Sequence, residues 1–187
     1  MSEYNFERFN ILVAEDNWYL RSLLVQSLRA LGVGQVHTAD GGEEAIELLA
    51  LAQRNPVKAG FSDVDIIYAN WEMRPVDGLD ILKWVRRNGD SLNPFVPFIL
   101  VTAYPDREKV DLARDHGVSE LLVKPFSVAT IAERLLKVVE RPRQFVHTPT
   151  YFGPDRRRRS SEAHDGDERR IIKESQIEIV YDYDQVA

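Results

Sequence analysis

Residues 11–17 read ILVAEDN, an apolar run that ends in two carboxylates and an amide. Consecutive apolar residues followed by polar ones are typical of a strand that is buried on both faces of a parallel sheet. Similar runs predict four more strands, at 35–39, 66–69, 95–101 and 121–123. The carboxylates of Glu15 and Asp16 should then lie at the carboxyl end of the first strand.

Segments with helical spacing lie between the predicted strands. Leu20, Leu24 and Leu28 recur every four residues, and the pattern stops before Gly32, which is a typical helix C-terminal signal. Comparable patterns predict helices over 45–52, 79–85, 106–117 and 127–138. Strict alternation of strands and helices predicts an α/β fold in which helices cover both faces of a parallel sheet. Functional residues in such folds gather at the carboxyl ends of the strands.

Composition limits the classes of protein that need to be considered. The chain has 187 residues, of which 44% are hydrophobic, so it can form one domain with an appendage. The absence of cysteine excludes disulfides and thiolate metal sites, and it suits a reducing compartment. No stretch approaches the roughly 20 apolar residues that a membrane span needs. We therefore expect a cytoplasmic protein without a membrane partner.

Charge is distributed unevenly along the chain. Residues 1–140 hold 15 basic and 21 acidic residues, 141–160 hold six arginines and one aspartate, and 161–187 hold eight acidic and three basic residues. We expect the extension at 141–187 to be irregular, because its prolines exclude a long helix. It could dock by charge on the first 140 residues or on a partner, or it could be solvated and disordered.

Three features of the extension suggest how it could make contacts. Tyr151 and Phe152 are candidate apolar anchors, and Arg156, Arg157, Arg158 and Arg159 could face the acidic domain. The same arginines could contact the phosphates of nucleic acid, an alternative that one basic run supports only weakly. Residues 177–183 alternate as a strand should and could extend a sheet edge, within the chain or on a partner.

The remaining strand ends also carry polar residues. Asn70 follows the third strand, Thr102 the fourth and Lys124 the fifth. Together with the two carboxylates after the first strand, they should surround one crevice. Paired carboxylates are hard oxygen ligands that suit Mg²⁺, and a hydroxyl and an ammonium can receive phosphoryl oxygens.

The chain resembles the receiver domain of two-component response regulators over residues 9 to about 140. The resemblance is carried by ILVAEDN, DGGEEAIELL, MRPVDGLDIL, ILVTA and LLVKPF in their expected order. It implies a flavodoxin-like five-stranded parallel sheet in the order 2-1-3-4-5, with residues 1–140 as the receiver domain. It also implies a non-enzymatic signalling protein without a catalytic output domain. The implied partners are a histidine kinase, a phosphotransfer protein or a downstream effector, and a homodimer is a further option.

The same resemblance implies roles for individual residues. Glu15 and Asp16 would help to hold Mg²⁺, and the backbone carbonyl of Glu72 would complete the protein ligands. Thr102 would be the switch hydroxyl, and Lys124 would contact the phosphoryl group. Leu121 stands where many receivers carry an aromatic residue, so coupling between that position and the threonine is doubtful in this chain.

Position 70 departs from the family pattern. Asp65, Met73 and the Asp77-Gly78 pair align it with the phosphoacceptor, which is an aspartate in the family, whereas this chain has Asn70. An amide offers no comparable nucleophilic oxygen, so we expect no phosphorylation. The amide oxygen could still coordinate a metal, and we expect a weakened Mg²⁺ site that could be unoccupied. Without an aspartate at position 70, Lys124 could pair with Asp16 instead.

Two origins of Asn70 remain open. The chain could be a natural pseudo-receiver, or it could be an ordinary phospho-receiver whose acceptor aspartate was replaced to block phosphorylation. The displaced Pro75, with Arg74 in the usual place of proline, favours the natural variant. A rival from another class, a Mg²⁺-dependent phosphatase with Asp16 or Asp77 as nucleophile, is disfavoured by the match to the receiver landmarks.

Overall fold

The computed structural model describes residues 5–87, 93–156 and 178–181. Five strands form one parallel sheet in the order β2-β1-β3-β4-β5, which confirms the predicted fold class. These strands are β1 Asn10–Ala14, β2 Gln35–Ala39, β3 Ile66–Asn70, β4 Phe98–Thr102 and β5 Glu120–Val123.

Helices cover both faces of this sheet. After a short 3₁₀ turn at Phe6–Arg8, they are α1 Trp18–Ala30, α2 Gly42–Arg54, α3 Pro56–Ala59, α4 Gly78–Arg87, α5 Arg107–Asp115 and α6 Val128–Glu140. Residues from α1 and α6 pack in one apolar cluster, and residues from α2, α4 and α5 pack in the other. The central strand β3 is buried along its whole length, so the side chain at its carboxyl end is held by a rigid scaffold.

Local capping chemistry explains where the helices begin. The Asn17 side chain accepts hydrogen bonds from the backbone nitrogens of Tyr19 and Leu20, which sets the start of α1 at Trp18. Asp106 and Ser127 cap α5 and α6, as the sequence predicts.

The fourth strand starts later than the sequence predicts. It begins at Phe98 rather than at residue 95, because Pro97 has no N–H group to donate to the sheet. The Pro97 carbonyl still accepts a hydrogen bond from the Ile67 nitrogen at 3.0 Å. The short helix α3 was not predicted, although Asn55 caps it and Pro56 opens it.

The extension is more regular than expected, and the strand that the sequence predicts within 177–183 is present at 178–181. Strands β6 Phe145–Thr148, β7 Tyr151–Pro154 and β8 Glu178–Tyr181 form an antiparallel sheet in the order β7-β6-β8. Prolines exclude a long helix but permit short strands joined by tight turns. In the β6–β7 turn, the Thr148 hydroxyl accepts a hydrogen bond from the Tyr151 backbone nitrogen. The division into domains at residues 1–140 and 141–187 stays a prediction.

A buried arginine of α4 ties the antiparallel sheet to the rest of the protein. Arg86 donates from Nε to the Gly117 carbonyl at 3.1 Å and from Nη1 to the Pro94 carbonyl at 2.6 Å. Its guanidinium lies 5.1 Å from the centroid of the Phe145 ring in β6. Two carbonyls and an aromatic face thus fix the orientation of this charged group.

The predicted anchors of the extension lie at this junction. Tyr151 is buried, and Phe152 packs edge-on against Phe95 with ring centroids 5.5 Å apart. Arg156 pairs with Asp115 at the end of α5, and its guanidinium lies 4.0 Å from the Tyr151 ring centroid. Residues 157–159, the rest of the arginine run, lie outside the described residues. No helix in the described ranges is long and apolar enough to cross a bilayer.

The centre of β3 contains a buried hydroxyl that supports one stability prediction. Tyr68 is fully buried, and its hydroxyl has no hydrogen-bond partner among the described residues. Because an unsatisfied buried polar group costs about 1–3 kcal/mol, we expect Tyr68→Phe to keep or raise the free energy of unfolding, by up to about 1 kcal/mol. Urea unfolding followed by circular dichroism measures it.

Tyr151→Phe is the matched control, because its buried hydroxyl donates to the Pro154 carbonyl at 2.6 Å. That variant should lose about 1 kcal/mol. A larger loss of unfolding free energy in Tyr68→Phe than in Tyr151→Phe would contradict the assignment of the Tyr68 hydroxyl as unsatisfied.

Candidate functional site

The carboxyl ends of β1, β3 and β5 bring four of the predicted site residues into direct contact. The Asn70 side chain contacts Glu15 and Asp16, which follow β1, and Lys124, which follows β5. The strand order explains why these side chains lie together. Strand β3 pairs with β1 on one side and with β4 on the other, and β4 pairs with β5. The crevice expected from the sequence is therefore present.

The Asn70 amide nitrogen is the centre of the crevice. Its Nδ2 atom lies 3.1 Å from Glu15 Oε1, 3.1 Å from Asp16 Oδ1 and 3.1 Å from the backbone oxygen of Glu72. An amide has two protons to donate, so at least one of them is shared between two acceptors. Three of the four oxygen groups that the sequence nominated as metal ligands, all except the Asn70 amide oxygen itself, thus converge on one side-chain nitrogen.

The amide oxygen points to the opposite side. Asn70 Oδ1 accepts a hydrogen bond from Lys124 Nζ at 3.0 Å. The network fixes this orientation, because a flipped amide would turn its oxygen toward two carboxylates and its NH₂ group toward an ammonium. Asn70 therefore bridges the acidic pair and the lysine through both ends of one amide.

Lys124 pairs with Glu15 and not with Asp16, the alternative partner that the sequence suggested. Its Nζ atom lies 2.8 Å from Glu15 Oε2, whereas Asp16 is exposed and contacts the amide nitrogen. Glu15 is 1% exposed, and burial raises the pKa of its carboxyl, an effect that the hydrogen bond and charge of Lys124 partly offset. Lys124 thus pairs with Glu15, the more deeply buried of the two carboxylates, which loses more hydration than Asp16 does.

Thr102 is oriented toward Glu72 and makes no described contact with Asn70. The fully buried threonine donates from Oγ1 to Glu72 Oε1 at 3.1 Å and accepts from the Tyr104 nitrogen at 3.1 Å. Glu72 thus accepts two hydrogen bonds in the site, one from Asn70 at its backbone oxygen and one from Thr102 at its carboxylate. The sequence nominated only the backbone carbonyl of Glu72.

Lys109 belongs to the site, although the sequence reasoning missed it. Its Nζ atom lies 3.0 Å from Glu72 Oε1 and faces the rings of Trp71 and Tyr104 at 5.7 and 5.4 Å. A lysine in the first turn of a charged helix carries no local signal of such a role, because its partner lies 37 residues away. Only the fold brings the two side chains together.

Oxygen donors for a cation are present, but they are few. No group of three or more His, Cys, Asp or Glu side chains is placed to hold a metal within the described ranges. Glu15, Asp16 and the Glu72 carbonyl are of the chemical type that Mg²⁺ uses, so the donor set fits the ion in kind. It lacks one carboxylate, and the Asn70 NH₂ group faces the donors where an oxygen would be needed.

Leu121 lies away from these contacts. It is half-buried in β5 and packs against the apolar cluster that includes α2, α4 and α5. Its backbone carbonyl accepts a hydrogen bond from Arg134 Nε at 3.1 Å.

A five-stranded parallel sheet with acidic, hydroxyl and lysine side chains at its carboxyl edge is the arrangement that the resemblance to receiver domains implies. The family model described as "Response regulator receiver domain" matches residues 11–136. The chain belongs to this family. It is 33% identical to the chemotaxis protein CheY-3 of Vibrio cholerae over 135 residues, which cover 72% of this chain and 95% of that protein.

Solved structures show the same likeness. The chemotaxis protein CheY4 of Vibrio cholerae has a TM-score of 0.58 at 28% identity, covering 70% of this chain and 98% of its own. The receiver domain of the histidine kinase CKI1 from Arabidopsis thaliana, complexed with Mg²⁺ and BeF₃⁻, has a TM-score of 0.57 at 25% identity. It covers 68% of this chain and 89% of its own. The chain is thus a receiver of two-component signalling.

The buried ion pair of the site supports a stability prediction. Lys124→Met leaves the Glu15 carboxylate buried without its cation, so we expect the free energy of unfolding at neutral pH to fall by about 2–4 kcal/mol. A second change, Glu15→Gln, should recover much of this loss, because it removes the uncompensated charge. Urea unfolding of the single and double variants measures both effects.

Lys83→Met is the control, because Lys83 pairs with Asp80 at an exposed position. It should change stability by less than about 1 kcal/mol. Equal losses in Lys83→Met and Lys124→Met would show that the Glu15 pair does not stabilise the site.

Proposed function

We propose that this chain is a pseudo-receiver, a signalling module that is not phosphorylated at position 70 and acts through protein contacts. The observation that carries the proposal is the Asn70 amide, which donates to Glu15, Asp16 and the Glu72 carbonyl and accepts from Lys124. In the receiver family, the aligned position carries the aspartate that accepts the phosphoryl group.

The chemistry of the amide supports this proposal. Phosphoryl transfer to a receiver requires a carboxylate oxygen to attack phosphorus, and the product is an acyl phosphate. The lone pair of the amide nitrogen is delocalised into the carbonyl, and the oxygen of Asn70 is already directed at Lys124. Neither atom of the amide is a nucleophile at neutral pH.

The contacts of the amide also argue for weak metal binding. Mg²⁺ would supply charge neutralisation for the phosphoryl group, and Glu15, Asp16 and the Glu72 carbonyl would hold it. In this chain those three groups already accept from the two protons of the Asn70 NH₂ group. To accept a cation, the amide would have to turn its oxygen inward and give up its bond to Lys124. We propose that Asn70 replaces part of the function of the cation, because its two protons bridge the acidic pair.

The switch hydroxyl is also engaged within the chain. Thr102 donates to the Glu72 carboxylate, which Lys109 holds from the other side. A phosphoryl oxygen is therefore not needed to give Thr102 an acceptor. We propose that the module presents one conformation to its partners, and that these are the kinases, phosphotransfer proteins or effectors with which receivers interact.

Restoring the acceptor tests the proposal directly. With Mg²⁺ and acetyl phosphate, we expect Asn70→Asp to gain one hydroxylamine-sensitive phosphoryl group, because Thr102 and Lys124 are retained. The unchanged protein should gain none. Intact-protein mass spectrometry distinguishes the two results. The double variant that combines Asn70→Asp with Lys124→Met is the control for the contribution of the lysine. Phosphorylation of the unchanged protein at position 70 would contradict the proposal.

Metal affinity provides a second test. Asn70→Asp adds a carboxylate to the donors, so its Mg²⁺ affinity should exceed that of the unchanged protein by at least about tenfold. Asn70→Ala is the matched control, because it removes the NH₂ group without adding charge. Isothermal titration calorimetry measures all three proteins. Equal Mg²⁺ affinity of the unchanged protein and Asn70→Asp would exclude a role for Asn70 in weakening the site.

A further inference from the structure

The Glu72 side chain connects two loops that border the Asn70 crevice. Its Oε1 atom accepts hydrogen bonds from Thr102 Oγ1 at 3.1 Å and from Lys109 Nζ at 3.0 Å. Thr102 ends β4, and Lys109 lies in the first turn of α5. One carboxylate oxygen of the loop after β3 therefore reaches both sides of residues 103–106, the segment between β4 and α5 that lies outside helices and strands.

Both sides of this connection are held by the surrounding structure. In the loop after β3, Trp71 is 6% exposed, and its backbone nitrogen donates to the Val101 carbonyl at 2.8 Å. In α5, the backbone nitrogen of Lys109 donates to Asp106, the residue that caps the helix. The Lys109 ammonium also lies near the rings of Trp71 and Tyr104, at distances typical of cation–π contacts. Two rings thus help to hold the ammonium beside the carboxylate.

The Thr102 hydroxyl carries the effect of Glu72 to the next loop. A hydroxyl has one proton and two lone pairs, and here the proton is directed at the Glu72 carboxylate. A lone pair then faces the backbone nitrogen of Tyr104, which donates to it at 3.1 Å. Because Thr102 is fully buried, its hydroxyl depends on protein groups for an acceptor. Loss of the carboxylate would let the hydroxyl rotate and would weaken its bond from Tyr104.

We propose that Glu72 and Lys109 form an autoinhibitory clamp on Thr102. The Glu72 carboxylate takes the place of an anion at the hydroxyl, and residues 103–106 are held in one conformation. This inference rests on the proposed function, in which the crevice of the unchanged chain carries no phosphoryl group.

The clamp is reversible, because its ion pair is partly open to solvent. The side chain of Lys109 is 30% exposed and that of Glu72 is 37% exposed, and ion pairs at such positions are weak. An anion that binds in the crevice would compete with Glu72 for the Thr102 proton. The clamp therefore opposes the binding of anions without excluding it.

Hydrogen exchange of the Tyr104 backbone amide tests the clamp in the otherwise unchanged full chain. We expect Glu72→Ala to raise the exchange rate of this amide at least about tenfold, because Thr102 loses its acceptor. Lys109→Met should raise it less, because the carboxylate remains and loses only its cation. NMR of ¹⁵N-labelled protein measures the rates.

Glu108→Gln is the matched control for the exchange experiment. It removes an exposed carboxylate from the same first turn of α5, and no contact joins that carboxylate to Thr102 among the described residues. The control should leave the Tyr104 rate unchanged. Equal exchange rates at Tyr104 in Glu72→Ala and Glu108→Gln would overturn the inference.

Competition with an anion is measured in an Asn70→Asp background, with beryllium fluoride and Mg²⁺ as the probe. In that background we expect Glu72→Ala to raise the affinity for beryllium fluoride at least about fivefold, and Glu108→Gln to raise it by less than about twofold. The gain should disappear when Thr102→Val is present in both proteins that are compared, because the clamp acts through the hydroxyl. Isothermal titration calorimetry measures these affinities.

Two results of this titration would overturn the clamp, namely no gain in Glu72→Ala or a gain that persists with Thr102→Val. Failure of the proposed function is a separate result, because it would appear as phosphorylation of the unchanged protein at position 70. In that case the exchange rate of the Tyr104 amide still decides whether Glu72 holds Thr102.

Discussion

The site depends on the two-sided hydrogen bonding of one amide. A receiver crevice places two carboxylates and a lysine within a few ångströms, and it needs a group that can meet both signs of charge. Asn70 meets this need with a donor end toward Glu15 and Asp16 and an acceptor end toward Lys124. A neutral side chain thus bridges two carboxylates of like charge and also contacts the lysine that pairs with one of them.

This constraint links the chemistry to the rest of the fold. Asn70 ends a fully buried strand, so its position cannot adjust without disturbing the central strand of the sheet. Next to it, Glu72 holds Thr102 and Lys109, which connects the third strand to the fourth strand and to α5. At the other end of the sheet, Arg86 connects α4 to the extension through Phe145. Among the described residues, a polar junction therefore lies at each end of a rigid apolar sheet.

Much of this was predictable from the sequence, because strand and helix periodicity and side-chain caps are local signals. Position 70 was identified through the resemblance to the receiver family, in which Asp65, Met73 and the Asp77-Gly78 pair match residues at fixed spacings from the phosphoacceptor. In the extension the alternation at 177–183 predicted the last strand, whereas β6 and β7 were missed because they are short and β6 pairs with a strand more than 30 residues away. The partner of Lys124 and the role of Lys109 depend on ångström-scale distances between remote segments, which residue patterns do not encode.

The most direct measurement of the central claim concerns the Asn70 side-chain amide itself. In ¹⁵N-labelled protein, its NH₂ resonances can be assigned by their loss in Asn70→Asp. The account predicts slow exchange of these protons with solvent and no saturable shift in up to about 10 mM Mg²⁺, because three protein oxygens already accept from them. Rapid exchange, or a saturable shift at submillimolar Mg²⁺, would contradict it.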